Sequence, residues 1–161
     1  MRIALFTLFM AIGAGLSAQD TVRIYNPEAD AVCDLQLAVQ QAGIENKHIL
    51  VQVGGNWCPW CRKLYGFFQS ESVIDSIIKA DYIPVKINFS KENKNPEAMA
   101  LLGYPQRFGF PVLVILDEHG NCLHIQDTGY LELNKGYDTE KVKRFLLGWN
   151  HVSTDPATYR K

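Results

Sequence analysis

The sequence predicts an α/β fold: a central mixed β-sheet covered by helices on both faces, three layers in all. Three observations predict it. A strand pattern, a helix pattern and a second strand pattern follow one another over residues 48–89. The most apolar strand pattern, Val112-Leu-Val-Ile-Leu116, then turns back through Asp117-Glu-His-Gly-Asn121. An amphipathic helix closes the order. A strand–helix–strand unit makes a parallel pair, a hairpin adds antiparallel strands, and helices cover the apolar faces.

Each element has its own local reason. In residues 29–42, Val32, Leu35, Val39 and Ala42 recur at spacings of three and four, the mark of an amphipathic helix, and Gly43 is expected to end it. Residues 20–28 are polar, contain Asn26-Pro27, and read as a lead-in. His48-Ile-Leu-Val-Gln-Val53 is apolar and β-branched, bounded by Gly54-Gly55, and reads as a buried strand. A helix follows from Trp60 towards Gln69. Another spans residues 72–80, with Val73, Ile74, Ile77 and Ile78 expected inward. Residues 82–89 read as the next strand, and Pro84, which has no N–H to donate, points to an early position in the strand or an edge strand. Lys91 to Asn95 is a polar loop. Pro96 suits the first position of a short helix over 97–102. Residues 122–127 complete the hairpin. Asp138 N-caps the last helix, with Val142, Phe145, Leu146 and Trp149 on one face. Residues 150–161 read as a fraying tail.

The 161 residues are 47% hydrophobic, enough for a sizeable core, and 20% charged, with a formal net charge of −1. That balance lacks the basic excess of a nucleic-acid binder and the charge excess of a disordered chain. The N-terminus follows a different logic from the rest. Arg2 precedes an uncharged apolar run, Ile3 to Leu16, and small residues follow up to Ala18. This order predicts a secretory signal peptide over residues 1–18, cut after Ser17 or Ala18, and a single domain over residues 19–161. The run is shorter than the roughly 20 residues needed to span a bilayer, so a retained anchor is the weaker reading. The expected product is exported, periplasmic or secreted, without stable membrane insertion, in a compartment where thiols oxidise.

Four cysteines are too few for a disulfide-stapled scaffold of this length. Cys58 and Cys61 stand together; Cys33 and Cys122 stand alone. In Trp57-Cys58-Pro59-Trp60-Cys61 the pair lies where a buried strand passes into a helix. A cysteine at a helix N-terminus faces unpaired amides and the positive end of the dipole, which favour thiolate. Lowering a thiol pKa from about 8.5 to about 7 takes the thiolate from a few per cent to about half at neutral pH. Such a shift is worth about 2 kcal/mol. Pro59 fits the first helical position, and a cysteine three residues on lies on the same side. Cys58 is then the attacking nucleophile and Cys61 the resolving thiol. A structural disulfide at this spacing is an alternative in an exported protein. A zinc site needs a second ligand pair, and the remaining cysteines and the four histidines are isolated, so no metal is expected. Covalent haem needs His after the second cysteine, where Arg62 stands. For Cys33 and Cys122 buried packing is the leading expectation, with a mutual disulfide as the alternative.

The segment Lys47-His-Ile-Leu-Val-Gln-Val-Gly-Gly-Asn-Trp-Cys-Pro-Trp-Cys-Arg-Lys-Leu64 resembles the strand, active-site loop and helix of the thioredoxin superfamily. Gly109-Phe110-Pro111-Val112 resembles its second signature, a cis-proline before a strand. The likeness runs from Val32 to Trp149 and is strongest to exported bacterial thiol:disulfide interchange proteins. It implies a thioredoxin-like three-layer fold with Cys58 and Cys61 as the redox pair. It also implies a client-binding surface at Trp57, Pro59, Trp60, Phe110 and the cis-proline Pro111, and no cofactor. Implied partners are protein thiols and disulfides and a membrane or soluble redox partner; no nucleic acid is implied. Tyr104 and Phe108 are expected as core packing. The chain departs from thioredoxins proper at Gln52, where they carry a buried aspartate, and in Cys-Pro-Trp-Cys replacing Cys-Gly-Pro-Cys. The direction of electron flow is therefore not inherited. A redox-inactive peptide-binding module on the same fold is the alternative function; a thiol peroxidase lacks its threonine-proline-cysteine pattern here.

Overall fold

The computed structural model describes residues 23–160; the expected signal peptide lies outside them. The chain order is α1 (Ala31–Glu45), β1 (His48–Gly54), α2 (Pro59–Ser70), α3 (Ser72–Asp81), β2 (Tyr82–Asn88), α4 (Pro96–Leu101), β3 (Val112–Leu116), β4 (Cys122–Asp127), β5 (Glu132–Leu133), β6 (Gly136–Tyr137), α5 (Thr139–Gly148) and α6 (His151–Thr154). The main sheet has the order β2-β1-β3-β4. β1 runs parallel to β2 with His48 opposite Tyr82, and antiparallel to β3 with Val51 opposite Val114. The expected mixed sheet is therefore present, and Pro84 sits on its edge strand.

Strand alternation divides the core. Ile49, Val51 and Val53 face one side with Val112 and Val114, against Leu35, Ala38 and Ala42 of α1 and Met99 of α4. Leu50, Leu113 and Ile115 face the other, against Leu64 and Phe68 of α2, Ile74 and Ile78 of α3, and Val142, Phe145 and Leu146 of α5. Every residue of β1 is buried, as its continuous apolar run requires between two helix layers.

Several boundaries differ from the pattern reading, each for a local reason. α1 continues through Gly43 to Glu45, because Asn46 supplies the left-handed C-cap with φ 52°. Asp30 caps its start, accepting hydrogen bonds from the N–H groups of Val32 and Cys33. Val73, expected inward, lies on the exposed side of α3. Residues 150–160 are not a bare tail. Asn150 caps α6, accepting from Ser153 N–H, and its amide donates to Asp81 at 2.9 Å. The short hairpin β5–β6 was not signalled, since two-residue strands carry no period. Among the described residues no helix is long and apolar enough to cross a membrane.

Candidate active site

β1 ends at Gly54, and the turn through Asn56 and Trp57 delivers Cys58 as the N-cap of α2, with Pro59 in its first turn. Cys58 and Cys61 form a disulfide with Cα atoms 5.3 Å apart. Their spacing on one turn brings the sulfurs together, as the sequence predicts. The Cys61 N–H donates to Cys58 Sγ at 3.1 Å. That amide is one of the unpaired donors of a helix N-terminus, so α2 presents positive potential to Cys58. Cys58 is 3% exposed and Cys61 is fully buried.

The peptide bond Phe110–Pro111 is cis. The Pro111 carbonyl accepts a 2.7 Å hydrogen bond from the buried hydroxyl of Thr128, which ties the start of β3 to the turn after β4. Phe110 packs against Cys58 and Cys61. Its ring meets Trp57 edge-on at 5.5 Å and lies 4.9 Å from Phe89. Trp57 is 54% exposed, and its indole N–H donates to the Phe89 carbonyl at 2.8 Å, which holds the ring at the surface. Trp60 is half-buried, meeting Tyr137 edge-on at 5.6 Å with the Lys63 ammonium over its face. Pro59 is exposed beside them. The structure thus packs Trp60 and Phe110 on the cysteine pair, with Trp57 and Pro59 flanking Cys58 in the chain and Pro111 joined to Phe110 by the cis bond.

Tyr104 and Phe108 do not behave as expected. Neither is core packing: Tyr104 is 58% exposed and Phe108 41%. Tyr104 has a left-handed backbone with φ 57°, which turns the chain after α4, and the Arg107 guanidinium covers the Phe108 ring. Cys33 and Cys122 also depart from expectation. Both are free and exposed. Cys33 falls off the inward stripe of Ala31, Leu35, Ala38 and Ala42, and Cys122 opens the edge strand β4. What desolvation Cys122 does experience pushes its thiol up.

Tyr25 and Asn56 belong to the site and were not singled out from the sequence. The Asn56 side-chain oxygen accepts from the N–H groups of Ile24 and Tyr25 at 2.9 and 3.1 Å, and its amide donates to the Tyr25 carbonyl at 2.7 Å. This clamp lays residues 24–25 over the cysteine pair. Tyr25 is 1% exposed and packs on Cys58 and Cys61. Gln52, on the α2 face of β1, donates to the Tyr25 phenol oxygen at 2.8 Å and to the Cys61 carbonyl at 3.4 Å. A buried amide therefore stands beside Cys61, with a neutral phenol as its partner. Burial pushes that phenol well above its ordinary pKa, against the opposing hydrogen bond from Gln52. Among the described residues no cluster of three metal-ligating side chains occurs.

Residues 30–118, more than half of the chain, match the family model described as thioredoxin-like. The chain belongs to the thioredoxin-like family. Among solved structures, this thioredoxin-like chain is similar to a disulphide isomerase from Xylella fastidiosa Temecula1. The TM-score is 0.69 and the identity 23%, over 78% of this chain and 95% of that one. It is also similar to a protein described as DsbH oxidoreductase, with a TM-score of 0.51 and 21% identity, over 68% of this chain and 78% of that one. At these identities the likeness is one of fold. No curated protein matches the chain at a significant level. Family membership accounts for the mixed four-stranded sheet flanked by helices.

Proposed function

We propose that the protein is an exported thiol–disulfide oxidoreductase that exchanges disulfides with protein clients through Cys58 and Cys61. The observation that carries this reading is the Cys58–Cys61 disulfide at the N-terminus of α2, next to a cis-proline and an exposed tryptophan. A pure binding module needs neither thiol.

The chemistry follows from the placement. In the oxidised protein a client thiolate attacks Cys58 Sγ, the Cys58–Cys61 bond breaks, and Cys61 leaves as a thiolate and takes up a proton. A second client thiolate then attacks the client sulfur of the mixed disulfide and releases Cys58 as a thiolate. The client leaves with a disulfide and two electrons remain on the protein. The reverse sequence reduces a client. Cys58 holds the outer position because the residue retains 3% exposure while Cys61 has none. The amide of Cys61 and the end of α2 stabilise the Cys58 thiolate. Trp57, Pro59, Trp60, Phe110 and Pro111 supply the client-facing surface, and no bound cofactor is required. The apolar run before Ala18 supports export to the periplasm or beyond, where a membrane or soluble redox partner would reset the pair.

The test is insulin reduction driven by dithiothreitol. The wild-type protein accelerates it and Cys58→Ser does not; equal rates for the two remove the enzyme reading and leave a binding module. The direction of flow is read from the potential of the pair. A value of about −270 mV marks a reductant and one of about −120 mV an oxidant.

A further inference from the structure

A groove of about 740 Å³ opens beside the redox pair. Its wall includes Trp57, which directly precedes Cys58, and Arg62, which directly follows Cys61. Arg23, Lys91 and Lys94 also line it, so four cations meet there in a chain whose formal net charge is −1. One acid, Glu92, also lines the groove, so the cations outnumber the acids there by four to one. Asn88 also lines the groove. It is 2% exposed, and its Oδ1 has no donor among the described residues. A buried acceptor of that kind is rare without a partner.

A site of this size, with one exposed aromatic and a surplus of cations, complements an extended chain carrying carboxylates. We propose that the groove holds an acidic segment of the client, with Asp or Glu side chains near the reactive cysteine meeting Arg23, Arg62, Lys91 and Lys94. The client backbone runs across the Trp57 ring, which brings its sulfur to Cys58. Carboxylates paired at a partly exposed surface contribute modestly each, so several are needed for discrimination. The naming of the occupant as a client rests on the oxidoreductase reading above; the groove's charge preference does not.

The test separates the two. Fluorescent peptides with serine in place of cysteine, rich in Glu, in Gln or in Lys, are titrated onto the oxidised protein and followed by anisotropy. The Glu-rich peptide binds about tenfold more tightly than the Gln-rich one at low salt. The preference shrinks at about 0.15 M salt, where the screening length falls to about 8 Å. Lys91→Gln with Lys94→Gln removes most of the preference, and Lys143→Gln with Arg160→Gln, two cations outside the groove, leaves it unchanged. Equal affinity for Glu-rich and Gln-rich peptides overturns the proposal, and so does an equal loss in the control pair. The same peptides carrying a disulfide are then tested for exchange. Acidic preference without exchange supports the groove and removes the oxidoreductase reading; exchange without acidic preference does the reverse.

Discussion

The side-chain amide of Gln52 donates a 2.8 Å hydrogen bond to the phenol oxygen of Tyr25, and both side chains are buried beside the fully buried Cys61. A proton arriving at Cys61 therefore meets a neutral amide and a neutral phenol, with no carboxylate among them. Gln52→Asp places a carboxyl in this buried position, where desolvation raises its pKa. The exchange rate of that variant gains a dependence on pH that the wild type lacks, read as a new inflection in the pH–rate profile. An unchanged profile shows that position 52 takes no part. Tyr25→Phe leaves the Gln52 amide without its closer partner, and an unfolding titration should show a loss of about 1–3 kcal/mol.

Burial is the main cause that raises the phenol pKa values of Tyr25, Tyr82 and Tyr137. The sign of the consequence follows from linkage. A group whose folded pKa lies above its unfolded value contributes stability fully present below the unfolded value, about 10 for a phenol. That contribution is lost as pH rises towards the folded value. Denaturation midpoints should therefore fall steadily above about pH 10. Tyr25→Phe should make that decline shallower, because one of the three phenols no longer titrates.

Gly54 is the point where β1 passes beneath the disulfide. A Cβ added there would stand 2.5 Å from Cys61 Sγ and 2.7 Å from the Tyr25 hydroxyl oxygen. Neither neighbour is free to retreat, since Cys61 is held by the disulfide and residues 24–25 by Asn56. Gly54→Ala should destabilise the oxidised protein by about 1–3 kcal/mol, the range for overpacking a closed core. Thermal unfolding of the oxidised variant provides the measurement, and an unaltered melting temperature would show that the strap yields at no cost.

Cys33 and Cys122 are free and exposed, while Cys58 and Cys61 are bonded. Iodoacetamide applied to the native, non-reduced protein should add two groups, at Cys33 and Cys122. After reduction and unfolding it should add four. Intact and peptide mass spectrometry read both numbers, and a native protein that takes up no label would show that these two thiols are paired or occluded.

Much of the fold was legible because its determinants are local. The apolar runs Val112–Leu116 and His48–Val53 mark buried strands, and the structure buries them; of the helix positions Val32, Leu35, Val39 and Ala42, Leu35 and Ala42 are buried and the two valines pack half-buried at the rim of the core. Pro84 pointed to an early position or an edge strand because a missing N–H is a property of one residue. The cysteine pair was legible for the same reason: three positions of sequence are one turn of helix. What was not legible depended on contacts between distant segments. Tyr25 lies in a polar stretch without period, and its burial is decided by Asn56, 31 residues away. Tyr104 and Phe108 look like core residues, yet the left-handed turn at Tyr104 carries them outward.

By itself, then, the sequence determined the layered α/β architecture, the positions of the four main-sheet strands and the placement of Cys58 and Cys61 on one helical turn, because periodicity and short-range spacing encode all three. Only the tertiary structure decided that Tyr25 and Gln52 meet beside Cys61 and that Arg23, Arg62, Lys91 and Lys94 share one groove. Those pairings join segments separated by tens of residues. Burial and electrostatic field at a point are set by everything packed around it, and no local pattern carries that sum.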